Sequence, residues 1–252
     1  MTAMIPEWHW PPDALTLSRQ TVHVWYVALE QPAPLAHQLE QLLSSDERER
    51  AARFHFERDR RRFVVGRGAL RTLLSRYLQV EPTQLKLCYG KYGKPYLAEE
   101  SKGSALHFNL AHSHELAVYA FTQEGEVGID IEYLHPLADL DQIADRFFSK
   151  SESTILLGLP EDQRLLAFFN CWTRKEAYIK ALGEGLSHPL DQFQVSLIPG
   201  EPAQLLKVQG SPEEVSRWFM TAFVPAPGYV AALIAEGRDR SVEYWQYFPF
   251  SF

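Results

Sequence analysis

Cysteine is scarce in this chain: Cys88 and Cys171 are its only two. They stand far apart, with no CxxC pair and no clustered histidines around them. That argues against a disulfide framework and a structural zinc, and fits a reducing, cytoplasmic setting. Long apolar runs are missing too. No stretch approaches the roughly 18 residues a membrane span requires. The opening MTAMIPEWHWPP has no basic stretch leading into an apolar one, so no secretory signal is expected. Positive charge is in deficit, with 25 Lys and Arg against 32 Asp and Glu, and the net −7 argues against a general nucleic-acid binder. Lysine is also missing locally: between Arg48 and Arg76 there are ten arginines and no lysine. What is present is core material. Of 252 residues, 46% are apolar and 13% aromatic, enough for one large domain or two small ones and too much for disorder.

The stretch EVGIDIEYL (126–134) poses the first chemical question. Val127, Ile129 and Ile131 alternate with Gly128, Asp130 and Glu132, the pattern of a strand with one buried face. Asp130 and Glu132 lie two residues apart, so both carboxylates leave the same side of the sheet, where they repel unless water or a cation separates them. A third carboxylate stands in WTRKEAYIKALGEGL. Steps of three or four give Phe169, Trp172, Glu176, Ile179 and Gly183, an apolar stripe with Glu176 in its middle. Lys180, four residues on, offers an ordinary helix ion pair worth about 0.2–0.5 kcal/mol. Read with Asp130 and Glu132, Glu176 instead completes the oxygen donors a hard divalent cation such as magnesium takes.

Strands are expected at 21–29, 85–90, 106–113, 116–122, from 126, and at 193–198, 217–224 and 229–236. Helices are expected over about 35–55, 58–79, 139–157 and 161–182, with Ser45 as a cap. Set side by side, the halves run in the same order: strand, short helix, long helix, strand, closing hairpin. A repeat at about 105–110 residues suggests two similar α/β subdomains, 1–124 and 125–252, packed as a pseudo-dimer with a ligand cleft at the seam. Such a chain completes its own site, so a monomer is expected. The segment before Gln20, with Trp8 and Trp10, is expected to pack across the first half.

Two stretches could face phosphate. YGKYGKPYL (89–97) carries Lys91 and Lys94 on a Gly- and Pro-punctuated turn, where Gly93 lets backbone approach a ligand; it also reads as a plain exposed loop. FNLAHSHE places Asn109, His112 and His114 at a strand end, without the third ligand a zinc site needs. The arginines of the first half read as a solvated helix laced with acidic partners, or as the source of one or two phosphate contacts.

GKPY at 93–96, FNLAHS at 108–113, GIDIE at 128–132 and WTRKEAYIK at 172–180 together, in this order, resemble the Sfp-type 4′-phosphopantetheinyl transferases. The resemblance runs from about Ser45 to Leu197. It implies the α+β fold of that family, two similar subdomains related by pseudo-twofold symmetry with coenzyme A between them. It implies transfer of the 4′-phosphopantetheine group of coenzyme A to a serine of an apo acyl, peptidyl or polyketide carrier protein, leaving adenosine 3′,5′-bisphosphate. It implies Mg2+ (Mn2+ as a substitute) on Asp130, Glu132 and Glu176. Glu176 is then the general base and Lys180 its partner at the pyrophosphate. Coenzyme A is expected against Arg50, Arg62, Gly93, Lys94, Pro95, Asn109, Leu110, Ala111, His112, Asp130, Lys175 and Lys180.

Two departures bear on that site. Ala111 stands where the family usually has serine, and Glu47 and Phe63 stand where some relatives carry a basic residue and a threonine. The stretch 135–152, with Leu137, Leu140, Phe147 and Phe148, is a candidate carrier-docking surface, although Phe147 and Phe148 read rather as helix core. A magnesium-dependent phosphodiesterase that removes the same group, and an arginine-bearing nucleic-acid module, are the competing readings.

Overall fold

In the computed structural model, residues 4–98 and 106–247 are described. The first half runs β1 (Thr21–Ala28), α1 (Ala33–Gln41), α2 (Ser45–Ala52), α3 (Glu57–Leu78), β2 (Leu87–Tyr89), β3 (Pro95–Leu97), β4 (His107–Ser113) and β5 (Leu116–Thr122). The second repeats it as β6 (Val127–Tyr133), α4 (Leu140–Phe147), α5 (Lys150–Gly158), α6 (Glu161–Leu182), β7 (Phe193–Val195), β8 (Leu205–Val208), β9 (Trp218–Phe223) and β10 (Tyr229–Glu236). The long helices α3 and α6 have 22 residues each. Strand order repeats as well: β1-β5-β4 in one sheet and β6-β10-β9 in the other, each neighbour antiparallel. The internal repeat expected from the sequence is present in both element order and sheet order.

Local chemistry explains where the expected helices divide. The stretch 35–55 breaks after Leu42. The new helix is capped by Ser44 rather than by Ser45, the Glu47 carboxylate accepting the Ser44 amide at 3.1 Å. The stretch 139–157 breaks the same way at Ser149, whose amide donates to Glu152 at 2.8 Å while its hydroxyl accepts the Glu152 amide at 3.3 Å. Three strands have no counterpart among those expected from the sequence: β3, β8 and β11 (Ser241–Gln246). β11 crosses back to the first half and pairs in parallel with β1, Val24 facing Tyr244. So the stretch 125–252 contributes a strand to the first sheet. The N-terminal segment straddles the halves too: Met4 bridges to Phe223 of β9, and Trp8 packs on Tyr26, Phe223 and Tyr244.

Three large apolar clusters, with a small one of Leu43, Ala51 and Val64 beside them, make the core of the described residues. One packs α1 and α3 on the first sheet through Trp25, Val27, Leu70 and Leu73; one packs α4–α6 on the second through Phe168, Ile179 and Ile234. The third joins the helix-free faces of both sheets through Val22, Val24, Val118, Ile129, Ile131 and Leu233. β6 is therefore covered on both sides. Its Val127, Ile129 and Ile131 enter the shared core, and its Asp130 side lies under α6 instead of facing solvent. Among the described residues, no helix is long and apolar enough to cross a membrane.

Candidate active site

Gly128 sets the distance between β6 and α6. A Cβ there would sit 2.0 Å from the Ala177 carbonyl oxygen and 2.6 Å from the Ala181 nitrogen, so only glycine lets the helix lie this close. Two residues on, Asp130 is 5% exposed and meets Lys180 Nζ at 2.5 Å. Lys180 is thus committed to the strand, not to Glu176 in the i,i+4 pair that its spacing allows. The other Asp130 oxygen, Oδ2, and Glu176 Oε1 are buried without a hydrogen-bond partner. Glu132 accepts from the Ser113 hydroxyl at 2.9 Å.

Three carboxyls and one ammonium in so little water disfavour ionisation. Burial, then the charges of Asp130 and Glu132, push Glu176 up to about 7, Lys180 opposing them. Burial and Asp130 raise Glu132, and burial raises Asp130 in spite of Lys180. Among the described residues, no three acidic, histidine or cysteine side chains are gathered tightly enough to hold a metal ion as they stand. Lys180 occupies one Asp130 oxygen and Ser113 draws Glu132 aside. The donor chemistry still suits a hard cation. Two orphaned carboxylate oxygens and an excess of negative charge are what an oxygen-seeking divalent ion relieves.

β4 is tied to β6 by side chains. The Ile129 amide donates to Asn109 Oδ1 at 3.1 Å, and the Tyr133 amide to Ser113 Oγ at 3.1 Å. Asn109 is thereby the joint between the halves. A cavity of about 620 Å³ opens beside it, walled by Arg50, Arg67, Tyr92, Gly93, Lys94, Pro95, Asn109 and Leu110 of the first half and Glu176, Lys180, Gly183, Gly185 and Ser187 of the second. Gly93 has φ +82° and open space where a side chain would start, so the 92–95 turn presents bare backbone. Lys94 Nζ donates to Glu126 at 3.0 Å and to the Ala181 carbonyl at 3.1 Å. Hydrogen bonding from His107, with Lys94 adding, holds Glu126 down at about 2. His112 leaves β4 on the Leu110 side; burial, then the nearby Lys180 and Arg67 charges, lower its pKa.

Of the expected ligand contacts, Arg50, Gly93, Lys94, Pro95, Asn109, Leu110 and Lys180 line this cavity, and Glu176 closes it. Five are not among its lining residues: Asp130, held against the lining Lys180, His112, which feels the charges of the lining Lys180 and Arg67, and three that lie elsewhere. Lys175 is fully buried on a different face of α6, donating to the Leu190 and Phe193 carbonyls at 2.7 Å and pairing with Glu152 at 2.8 Å. Residues 175 and 176 leave a helix about 100° apart, so a motif that places them side by side does not place them together. Arg62 is held by Glu30 at 2.8 Å and Glu115 at 3.7 Å. Ala111 points into the shared sheet core. In the candidate docking stretch, Phe148 is buried core, while Leu137, Leu140 and Phe147 pack partly against it.

Arg67 was not singled out by the sequence reading. It is 8% exposed, its Nη1 is buried without a partner, and its guanidinium lies 5.7 Å from the Phe63 ring and 5.5 Å from the Tyr89 ring. The signal was its setting in VVGRGAL, an arginine between two glycines on the apolar part of a helix rather than in the charged run before it. Glu47 is explained by the fold: it is sealed in an ion pair with Arg71 at 2.6 Å, each side chain 1% exposed.

Two family models cover most of the chain. One, described as 4′-phosphopantetheinyl transferase superfamily, matches residues 126–234, and one described as 4′-phosphopantetheinyl transferase, N-terminal, matches 31–124. The two matches meet at the turn between β5 and β6. The 4′-phosphopantetheinyl transferase HetI of Nostoc sp. is 42% identical over 95% of this chain and 98% of its own length. The 4′-phosphopantetheinyl transferase Sfp of Bacillus subtilis is 32% identical over 78% of this chain and 84% of its own.

Proposed function

The chain belongs to the 4′-phosphopantetheinyl transferase superfamily, and we propose that its cleft moves the phosphopantetheine arm of coenzyme A onto a serine hydroxyl of an apo carrier protein. The observation that carries this reading is the half-buried Glu176 carboxyl, with one buried oxygen unpartnered and its pKa pushed up to about 7, at the wall of a cavity lined with cations. A serine hydroxyl becomes a competent nucleophile when a base near neutral pKa takes its proton. Glu176 is that base, directly or through a water.

Attack at the β-phosphate breaks its bond to the bridging oxygen and releases adenosine 3′,5′-bisphosphate. Charge builds on that leaving oxygen, and Lys94 and Lys180 are the point charges available to it. Each is held by a carboxylate, Glu126 and Asp130, at the cavity wall, which orients the ammonium before substrate arrives. Asp130, Glu132 and Glu176 would hold Mg2+, whose chemistry there is to neutralise the pyrophosphate and align it for in-line displacement.

The test is a mass measurement on an apo carrier protein incubated with coenzyme A, Mg2+ and the full chain. The expected result is a gain of one phosphopantetheine on the carrier, abolished or slowed by about 100-fold or more with Glu176→Gln. Transfer at the wild-type rate by that variant would remove Glu176 from its role. Loss of the group from a holo carrier, with no gain on the apo form, would instead identify a phosphodiesterase.

A further inference from the structure

Ser113, the last residue of β4, is where the first half takes hold of a site carboxylate. Its hydroxyl accepts the Tyr133 amide at 3.1 Å and donates to Glu132 Oε2 at 2.9 Å. A serine hydroxyl has one proton to give. With a backbone N–H directed at its lone pairs, that proton is committed to the carboxylate. Tyr133 is itself fixed, its ring stacked on His114 at 4.8 Å and edge-on to Tyr229 at 5.0 Å. One hydroxyl therefore grips the side chain of Glu132 and the backbone of the next residue of β6. Joining the strands needs only the backbone bond, and Asn109 supplies a second of that kind from the Ile129 amide at 3.1 Å. The bond to Glu132 has a separate task.

The neighbouring acid shows what that task is. Lys180 takes Oδ1 of Asp130 at 2.5 Å, and Oδ2 is left buried without a partner. Ser113 takes Oε2 of Glu132 in the same manner and leaves Oε1. Each strand acid is thus reduced to one oxygen for a metal. That count separates cations. Mg2+ keeps a strict octahedron, retains several waters and is satisfied by single oxygens. Ca2+ takes roughly 6–8 oxygens at longer distance and gains from a carboxylate that offers both. The hydrogen bond also favours the ionised carboxyl, opposing the burial and the Asp130 charge that push Glu132 up, and the ionised form is the ligand. We propose that Ser113 is a positioning residue that holds Glu132 to one oxygen and so sets the preference of the site for Mg2+ over Ca2+. This rests on the metal site of the transfer reading above and deepens it.

The experiment titrates the full chain with Mn2+ without coenzyme A, reads free Mn2+ by electron paramagnetic resonance, and displaces the bound ion with Mg2+ or Ca2+. In Ser113→Ala the dissociation constant for Mg2+ should rise about 10-fold, the lower end for losing a hydrogen bond to a charged group. The constant for Ca2+ should stay or fall, because the released carboxylate can offer both oxygens. Ser113→Thr keeps the hydroxyl and should keep the wild-type selectivity. Equal losses for the two ions would mean a structural tie alone and overturn the proposal. Unchanged constants in Ser113→Ala, or a Ser113→Thr protein that behaves like it, would do the same. A wild type that takes up no Mn2+ would overturn the site and the proposal together. Should urea unfolding show that Ser113→Ala does not fold, Ser113→Cys, close in size and a weak donor, carries the same expectation. With coenzyme A and an apo carrier, the Mg2+ concentration for half-maximal rate should rise about 10-fold in Ser113→Ala, with KM for coenzyme A at saturating Mg2+ within about twofold. If no form modifies a carrier while the ion selectivity shifts as stated, the transfer reading falls and the role of Ser113 stands.

Discussion

Glu176 is a residue whose ionisation the fold opposes. Its carboxyl titrates at about 7 against an ordinary 4.5, because burial and the charges of Asp130 and Glu132 outweigh Lys180. The folded protein therefore binds a proton at this site more tightly than the unfolded chain. Between roughly 4.5 and 7 the folded state is the greater proton binder, so this contribution to stability is full below the ordinary value and declines as pH rises through 7. Discounted for the solvent that reaches the side chain, the decline amounts to about 1–3 kcal/mol. In metal-free buffer, urea unfolding of wild type should lose stability from pH 5 to pH 8, and Glu176→Gln should flatten that slope. Mg2+ should restore wild type at pH 8 by mass action and restore the variant less. A variant with the wild-type slope would show that the carboxyl is not crowded. Glu176 was legible in the sequence because a lone acid in an apolar helical stripe violates the pattern around it. Arg67 violates the pattern of its own helix in the same way, but nearby arginines in ordinary surface ion pairs masked it.

On α6 the two faces have separate tasks, and a reading by adjacency merges them. Glu176 and Lys180 turn to β6, where Gly128 allows contact. Lys175 turns the other way, where its ammonium binds Glu152 and two carbonyl oxygens and lies 4.3 Å from the Phe193 ring. Every proton of that ammonium is used, so it has none for a phosphate. Lys175→Met should leave Glu152 buried without its counter-charge and cost about 3–5 kcal/mol in denaturant unfolding. KM for coenzyme A of the folded fraction should stay at the wild-type value. A raised KM with unchanged stability would return Lys175 to the ligand site. Periodicity located α3, α6, β5, β6 and β10 because each has a face, or both faces, in an apolar cluster. It was silent on β3 and β8, of three and four residues, which are too short to establish a period.

Across the whole molecule the repeat was legible, since each half carries the same order of elements around one 22-residue helix. The ties between the halves were not. β11 joins β1 across 220 positions of sequence, with Thr21 Oγ1 and Ser241 Oγ 3.0 Å apart, and a parallel pairing of that separation leaves no local turn signal. Asn109 and Ser113 reach across the seam by side chains, which no backbone pattern announces. β11 and its exit seat Tyr244 and Tyr247, both buried, with Trp245 packed on the first core. At about 2 kcal/mol for each large side chain, removing the three costs on the order of 6 kcal/mol, comparable with the whole stability of many domains. Truncation after Asp239 should therefore unfold the first half although the cut lies in the stretch expected to form the second. Loss of the tryptophan near-ultraviolet dichroism of Trp25, together with loss of nucleotide binding, would report it. A truncated chain that kept both would mean that β11 covers the edge of β1 without holding the first half together.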